Sequence, residues 1–137
     1  SAGVAGERGQ DIQGLILLEP SFFAPDQFRE VFPEGAEIPF VMDYPLPVGR
    51  EFAETIRECD IFESMEKYQG EVLIFQGTVH SEEDLEEMDY YYGEALETYP
   101  SARLHMIEGA DHFFEGEAGV QMTEQAIEFI ENVLEVK

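Results

Sequence analysis

Two short stretches of this chain are apolar at nearly every consecutive position, and each is closed by a residue that breaks regular structure. They are Gly14-Leu15-Ile16-Leu17-Leu18-Glu19-Pro20 and Glu71-Val72-Leu73-Ile74-Phe75-Gln76-Gly77. A strand with one wet face alternates apolar and polar residues, whereas a continuous run of this length suits a strand covered on both faces, as in a parallel sheet. A third strand is read over Ala102 to Gly109. Between and after these runs lie stretches with helical spacing. The order strand, helix, strand, helix, strand, helix predicts an α/β fold with three parallel strands near 14–19, 71–76 and 102–107 and flanking helices. In such folds ligands gather where the carboxyl ends of the strands open into loops, so the loops after Gly77 and Gly109 are where chemistry is expected.

The helices are legible from period and ends. Gly49 to Cys59 carries Phe52, Ile56 and Cys59 at spacings that share a face, and a short helix follows from Ile61 to Tyr68. Between Ser81 and Tyr99 an apolar stripe runs through Leu85, Met88, Tyr92, Ala95 or Leu96, and Tyr99. Ser81 is placed to cap that helix, Glu82, Glu83 and Asp84 favour its amino-terminal dipole, and Pro100 stops it. A closing helix spans about 118–135, with Ala126, Ile127, Ile130, Val133 and Leu134 on one side. The opening residues Val4 to Gln10 read as the tail of a helix entering a turn. From Ser21 to Pro47, five prolines and several aromatics show no sustained period, which predicts a long ordered loop. Met42, Met65 and Met88 read as core filler, and Cys59 as a buried thiol.

Composition limits the partners. A formal charge of −24 repels nucleic-acid backbone and anionic lipid, so neither is expected as a partner. A solvated acidic surface accounts for that charge most simply, ahead of a cationic partner or adaptation to high salt. No apolar run spans a bilayer and no signal peptide is evident, and the single cysteine, Cys59, forms no internal disulfide. A cytoplasmic location is expected. Neither a glycine-rich phosphate loop nor a Cys-x-x-Cys or His-Glu-x-x-His motif occurs, and His80, His105 and His112 lack close ligand spacing. No metal and no cofactor are expected.

With the strands placed, three segments bear a resemblance: Gly14 to Pro20, Val72 to Thr78, and Leu104-His105-Met106-Ile107-Glu108-Gly109-Ala110-Asp111-His112. Together with the segment 21–47, which stands where a lid is inserted, they resemble the C-terminal half of an α/β-hydrolase. The subgroup is the cinnamoyl- or feruloyl-esterase-like, lysophospholipase-like serine hydrolases, and the similarity covers nearly the whole chain. What the resemblance implies is a single hydrolase domain over 1–137 with a lid-like insertion at 21–47 and carboxylic ester hydrolysis of a small-molecule substrate. It also makes His112 the catalytic histidine, an imidazole on a loop at the sheet edge that takes a serine proton and returns it to the leaving group. The family keeps an aspartate three residues after the strand glycine, where this chain has His80. Counting back from Tyr99 places the expected acid at Asp84, with Glu82 and Glu83 as the other carboxylates of that turn and an acid outside the chain as the remaining possibility.

The Gly-x-Ser-x-Gly elbow that would carry the nucleophile is not found. Ser1-Ala2-Gly3 matches only its last three positions, and Ser1 reads as lying inside the helix that follows the true serine. The expected protein is therefore the later portion of a serine esterase whose nucleophile lies upstream, inactive by itself. It should be joined to the remainder of the hydrolase, or to a dimer partner, across the open edge of the Leu15–Leu18 strand. The competing reading is a catalytically inactive hydrolase-like binding or interaction domain, which the displaced acid favours and the Ala110-Asp111-His112 loop opposes.

Overall fold

A computed structural model describes residues 2–44 and 46–134 of the chain, so the reading of Ser1 falls outside the described residues. Two compact units result: Ser1–Pro20 with Phe62–Lys137, and Ser21–Ile61. In chain order the elements are α1 (Ala2–Arg8), a 3-10 turn (Gly9–Asp11), β1 (Gly14–Leu18), α2 (Ala24–Val31), β2 (Val41–Tyr44) and β3 (Leu46–Gly49). Then come α3 (Arg50–Glu58), α4 (Ile61–Lys67), β4 (Glu71–Gly77), α5 (Glu82–Thr98), β5 (Ala102–Ile107) and α6 (Glu117–Val133).

The first unit is the expected α/β layer. Its sheet has the order β1-β4-β5, and both pairings are parallel. Leu15 lies opposite Val72 and Leu17 opposite Ile74, while Ile74 lies opposite Leu104 and Gly77 opposite Ile107. All three strands therefore end at one edge. β4 is central, and every residue from Val72 to Gly77 is buried, which is why its run is apolar throughout. Side chains alternate across a strand, so Leu73 and Phe75 share a face. They pack with Ile107, Ala110, Phe114 and the α6 residue Phe129, with Met122, Ala126 and Val133 around them. β1 is less enclosed: Leu15 and Leu17 are buried but Leu18 is 50% exposed.

α5 begins as its sequence indicates. Ser81 sits in extended conformation at the cap, and its hydroxyl oxygen accepts from the Asp84 amide at 3.1 Å. Tyr92, Ala95 and Tyr99 form the buried part of its stripe, Tyr99 meeting Tyr68 edge-on at 6.4 Å between ring centroids. Met65 is fully buried, as expected of filler, whereas Cys59 is partly exposed rather than buried. Among the described residues no helix is long and apolar enough to cross a membrane.

The second unit corrects the reading of 21–47 as a loop. It holds α2, an antiparallel β2–β3 pair, and α3. The prolines misled because two of them sit at helix boundaries: Pro25 lies in the first turn of α2, where its missing N–H is no loss, and Pro33 falls beyond its end. Phe28, four residues before Phe32, packs with Ile38 and Ala53 in a small core. Arg29 donates to the Arg57 and Cys59 carbonyl oxygens at 3.0 and 2.6 Å, satisfying acceptors that the end of α3 leaves open. This unit runs on to Ile61, past the expected boundary at 47.

The central strand should dominate stability. Leu73→Ala is expected to cost about 2–5 kcal/mol in urea denaturation, the range for emptying a buried leucine site. Val120→Ala, at a side chain 57% exposed, should stay within about 0.5 kcal/mol. Equal losses at the two positions would contradict the assignment of β4 as the core.

Candidate active site

Glu19 directly follows β1, and its backbone is held in the left-handed region at φ 39°. That conformation costs a non-glycine residue about 1 kcal/mol or more, and the following Pro20 restricts it further. The Glu19 amide still donates to the Phe75 carbonyl at 3.0 Å, so the chain turns only after its last ladder bond. The turn carries the side chain under the end of β4. There the carboxylate is 1% exposed and accepts three hydrogen bonds. Oε1 receives the Gly77 amide at 2.8 Å and His80 Nε2 at 2.7 Å, and Oε2 receives His112 Nδ1 at 2.6 Å. The partners come from the end of β4, the loop after it, and the loop after β5.

Local backbone chemistry places these loops. A Cβ on Gly77 would run into the carbonyl oxygen of Ala110, so only glycine lets the loop after β5 pass so close to the end of β4. The two loops are laced together: the Val79 amide donates to the Ala110 carbonyl at 2.8 Å, and the Gly109 amide donates to Thr78 Oγ1 at 2.9 Å. Asp111 shapes the turn that carries His112, its Oδ1 accepting from the Phe113 amide at 2.9 Å.

Burial by itself pushes the Glu19 carboxyl up. The Gly77 amide, the His112 and His80 hydrogen bonds and the His80 charge together outweigh it and hold the carboxyl below the usual range. Glu19 is therefore ionised at neutral pH. Burial, then the Glu19 charge, push the Tyr92 hydroxyl of α5 up, so that phenol stays neutral. An ionised carboxylate only accepts hydrogen bonds, so His80 must donate from Nε2–H and His112 from Nδ1–H. For His112 this leaves the Nε2 end of the ring open, on a side chain 60% exposed and with no hydrogen-bond partner for Nε2 among the described residues. An imidazole whose Nδ1 is held by a buried carboxylate, with its other nitrogen open, is equipped to take and return a proton.

His112 stands at the carboxyl edge of the sheet, as the sequence indicates. Its expected pairing with Asp84 is corrected: the carboxylate bound to its ring is that of Glu19. Asp84 is engaged in the first turn of α5, where its carboxylate accepts from the Ser81 hydroxyl at 2.6 Å. The loop after β4 has no room in sequence for an acid before that helix, because His80 and the cap Ser81 occupy it. Glu19 was missed because it reads as the polar end of a strand. The available signal was its place directly after a buried parallel strand, combined with a histidine three residues after Gly77, where the resemblance led us to expect an acid. His105 stands apart, edge-on to Phe75 at 5.7 Å. The imidazole nitrogens of His80 and His112 each point at a different carboxylate oxygen, and no group of side chains suited to a metal occurs among the described residues.

Because the Glu19 carboxyl lies below its unfolded value, the fold favours its ionised form. That contribution is complete above the unfolded value of about 4.3 and is lost as pH falls through the lowered folded one. Glu19→Gln should thus cost about 1–3 kcal/mol at neutral pH, with two donors left poorly matched. The cost should shrink on acidification. Denaturation series across that range would show it, and a penalty independent of pH would contradict the ionised assignment.

No protein-family model matches this sequence, and no curated protein matches it. Among solved structures, two of Est1E from Butyrivibrio proteoclasticus are similar, one of them with ferulic acid bound. Each is 20% identical in sequence, the TM-scores are 0.73 and 0.74, and 97% of this chain is covered in both. The chain spans 54% and 56% of those structures, about half their length. With its parallel β1-β4-β5 sheet and flanking helices, this chain has the α/β-hydrolase fold, in its C-terminal part.

Proposed function

We propose that the chain supplies the acid–base half of a serine carboxylesterase, with His112 as general base and acid and Glu19 as the carboxylate that orients it. The observation that carries this reading is the 2.6 Å contact between His112 Nδ1 and a carboxylate 1% exposed, at the carboxyl edge of a parallel sheet. With Nδ1–H given to Glu19, Nε2 accepts the proton of a serine hydroxyl as it attacks an ester carbonyl. It then passes that proton to the departing alcohol, and the Glu19 charge offsets the imidazolium formed in between. The serine, on a Gly-x-Ser-x-Gly elbow, and the oxyanion-binding amides belong to the part of the fold that precedes β1. The substrate is a small carboxylic ester; that Est1E binds ferulic acid makes aryl-acyl esters the first class to try.

The 137-residue chain alone should not turn over a short p-nitrophenyl ester above background. Joined to a preceding segment with the elbow, it should become active. There Glu19→Gln should lower kcat by on the order of 10⁴, as loss of a triad carboxylate does. Asp84→Asn should leave kcat within about twofold, since support of the Ser81 cap acts on stability, at about 1 kcal/mol or less, rather than on chemistry. Turnover by the chain alone that disappears in Ser1→Ala would overturn the placement of the nucleophile.

The same reading assigns a partner to the open side of the sheet. β1 pairs only with β4 among the described residues, Leu18 is half exposed, and at the start of β1 a groove is lined by Asp11, Gln13, Ile16, Phe129, Ile130 and Val133. Unpaired strand edges and apolar grooves of this type associate. The remainder of the hydrolase fold is the occupant proposed, with a second copy as substitute in its absence. Light scattering of the isolated chain should give a mass above that of a monomer. A cooperative monomer at low salt would refute the assignment.

A further inference from the structure

The Glu19 carboxylate is unusual in holding two imidazoles, and they are not equivalent. His80 Nε2 reaches Oε1 at 2.7 Å from a side chain 11% exposed, whereas His112 reaches Oε2 from a side chain 60% exposed. The nitrogen that His80 commits to Glu19 is Nε2, the end of the ring that would have to face a nucleophile, so His80 is not an alternative base. Oε1 also accepts the Gly77 amide at 2.8 Å, while Oε2 has His112 as its hydrogen-bond partner. A glutamate carboxylate hangs from three rotatable bonds, and fixing such a chain costs roughly 1.5–2 kcal/mol of rotamer freedom. It presents one oxygen reliably only if the other is held.

We propose that His80 is a positioning residue: with the Gly77 amide it clamps Oε1 of Glu19, so that Oε2 is presented in fixed orientation to His112. The inference rests on the reading of His112 and Glu19 as the acid–base pair. It explains why a histidine stands three residues after Gly77, where an acid was expected. A carboxylate there would face the buried Glu19 charge, while an imidazole N–H satisfies it. The arrangement puts the acid at the end of β1 and its support at the end of β4.

The test is NMR of the 137-residue chain with nitrogen-labelled histidine, following solvent exchange of the His112 Nδ1 proton. In the unaltered protein this proton should be observable and protected. His80→Leu and His80→Asn, which remove the donor or shorten its reach, should each speed exchange by about tenfold or more, the factor expected for loosening one hydrogen bond to a charged group. His80→Gln keeps an N–H near the position of Nε2 and should restore protection to within about threefold. A general loss of stability would not separate Asn from Gln, because both are polar and neutral, so this pair decides the matter even if the Leu variant does not fold. Equal exchange in the Asn and Gln variants, or no change in any, overturns the positioning role. Glu19→Gln is the control for the underlying pair. If it too leaves the His112 proton unchanged, the His112–Glu19 reading itself fails. If it exposes the proton while the His80 variants do not, only the His80 inference falls.

Discussion

A buried carboxylate is the interaction on which the functional edge of this protein depends. An ionised Glu19 side chain at 1% exposure has lost its water, and that loss is tolerable only where good donors replace it. Three do, and they are contributed by a strand end and two separate loops. The carboxylate therefore ties the ends of all three strands of the sheet together. The left-handed backbone at Glu19, the glycine at 77 and the short turn at Asp111 are the local conditions of that junction. Each carries a cost or a sequence restriction that packing alone would not require.

The division between the two carboxylate oxygens gives the site its direction. Oε1 is bound to an amide and a nearly buried imidazole; Oε2 is bound to an imidazole whose far side is open. One side of the group faces the interior and the other faces a ring that is 60% exposed. A carboxylate that was merely buried would have its proton affinity raised. The donors reverse that, so the group remains an anion. In a chain with 31 acidic residues, this one is distinguished by its donors rather than by its charge.

The carboxylate that holds His112 stands at the end of β1 rather than after β4, where the sequence resemblance placed an acid. Strand ends in a parallel sheet lie side by side, so a carboxylate on one can serve a histidine that a carboxylate on the next would otherwise serve. Such exchange leaves the sheet unchanged and alters the loops. Asp84 instead sits in the first turn of α5 and accepts from the hydroxyl of its cap, Ser81.

The sequence by itself determined the sheet and its helices. Continuous apolar runs require burial on both faces, and β4 has it; an apolar stripe with a capping serine requires a helix, and α5 begins at that serine. The Ile107-to-His112 segment likewise pointed to the edge where His112 stands. These features are local, written in the period and ends of single elements. The β2–β3 pair was not legible, nor were two further features. The helix α2 was hidden because prolines at its boundaries look like those of a loop, and its packing partners Ile38 and Ala53 lie on other parts of the chain. The carboxylate partner of His112 was hidden because it lies 93 residues away, and His80 meets the same group across 61. Which acid meets which histidine depends on strand register, on a left-handed turn at a residue that is not glycine, and on how closely one loop can pass another at Gly77. Those are distances between segments, and only the tertiary structure sets them.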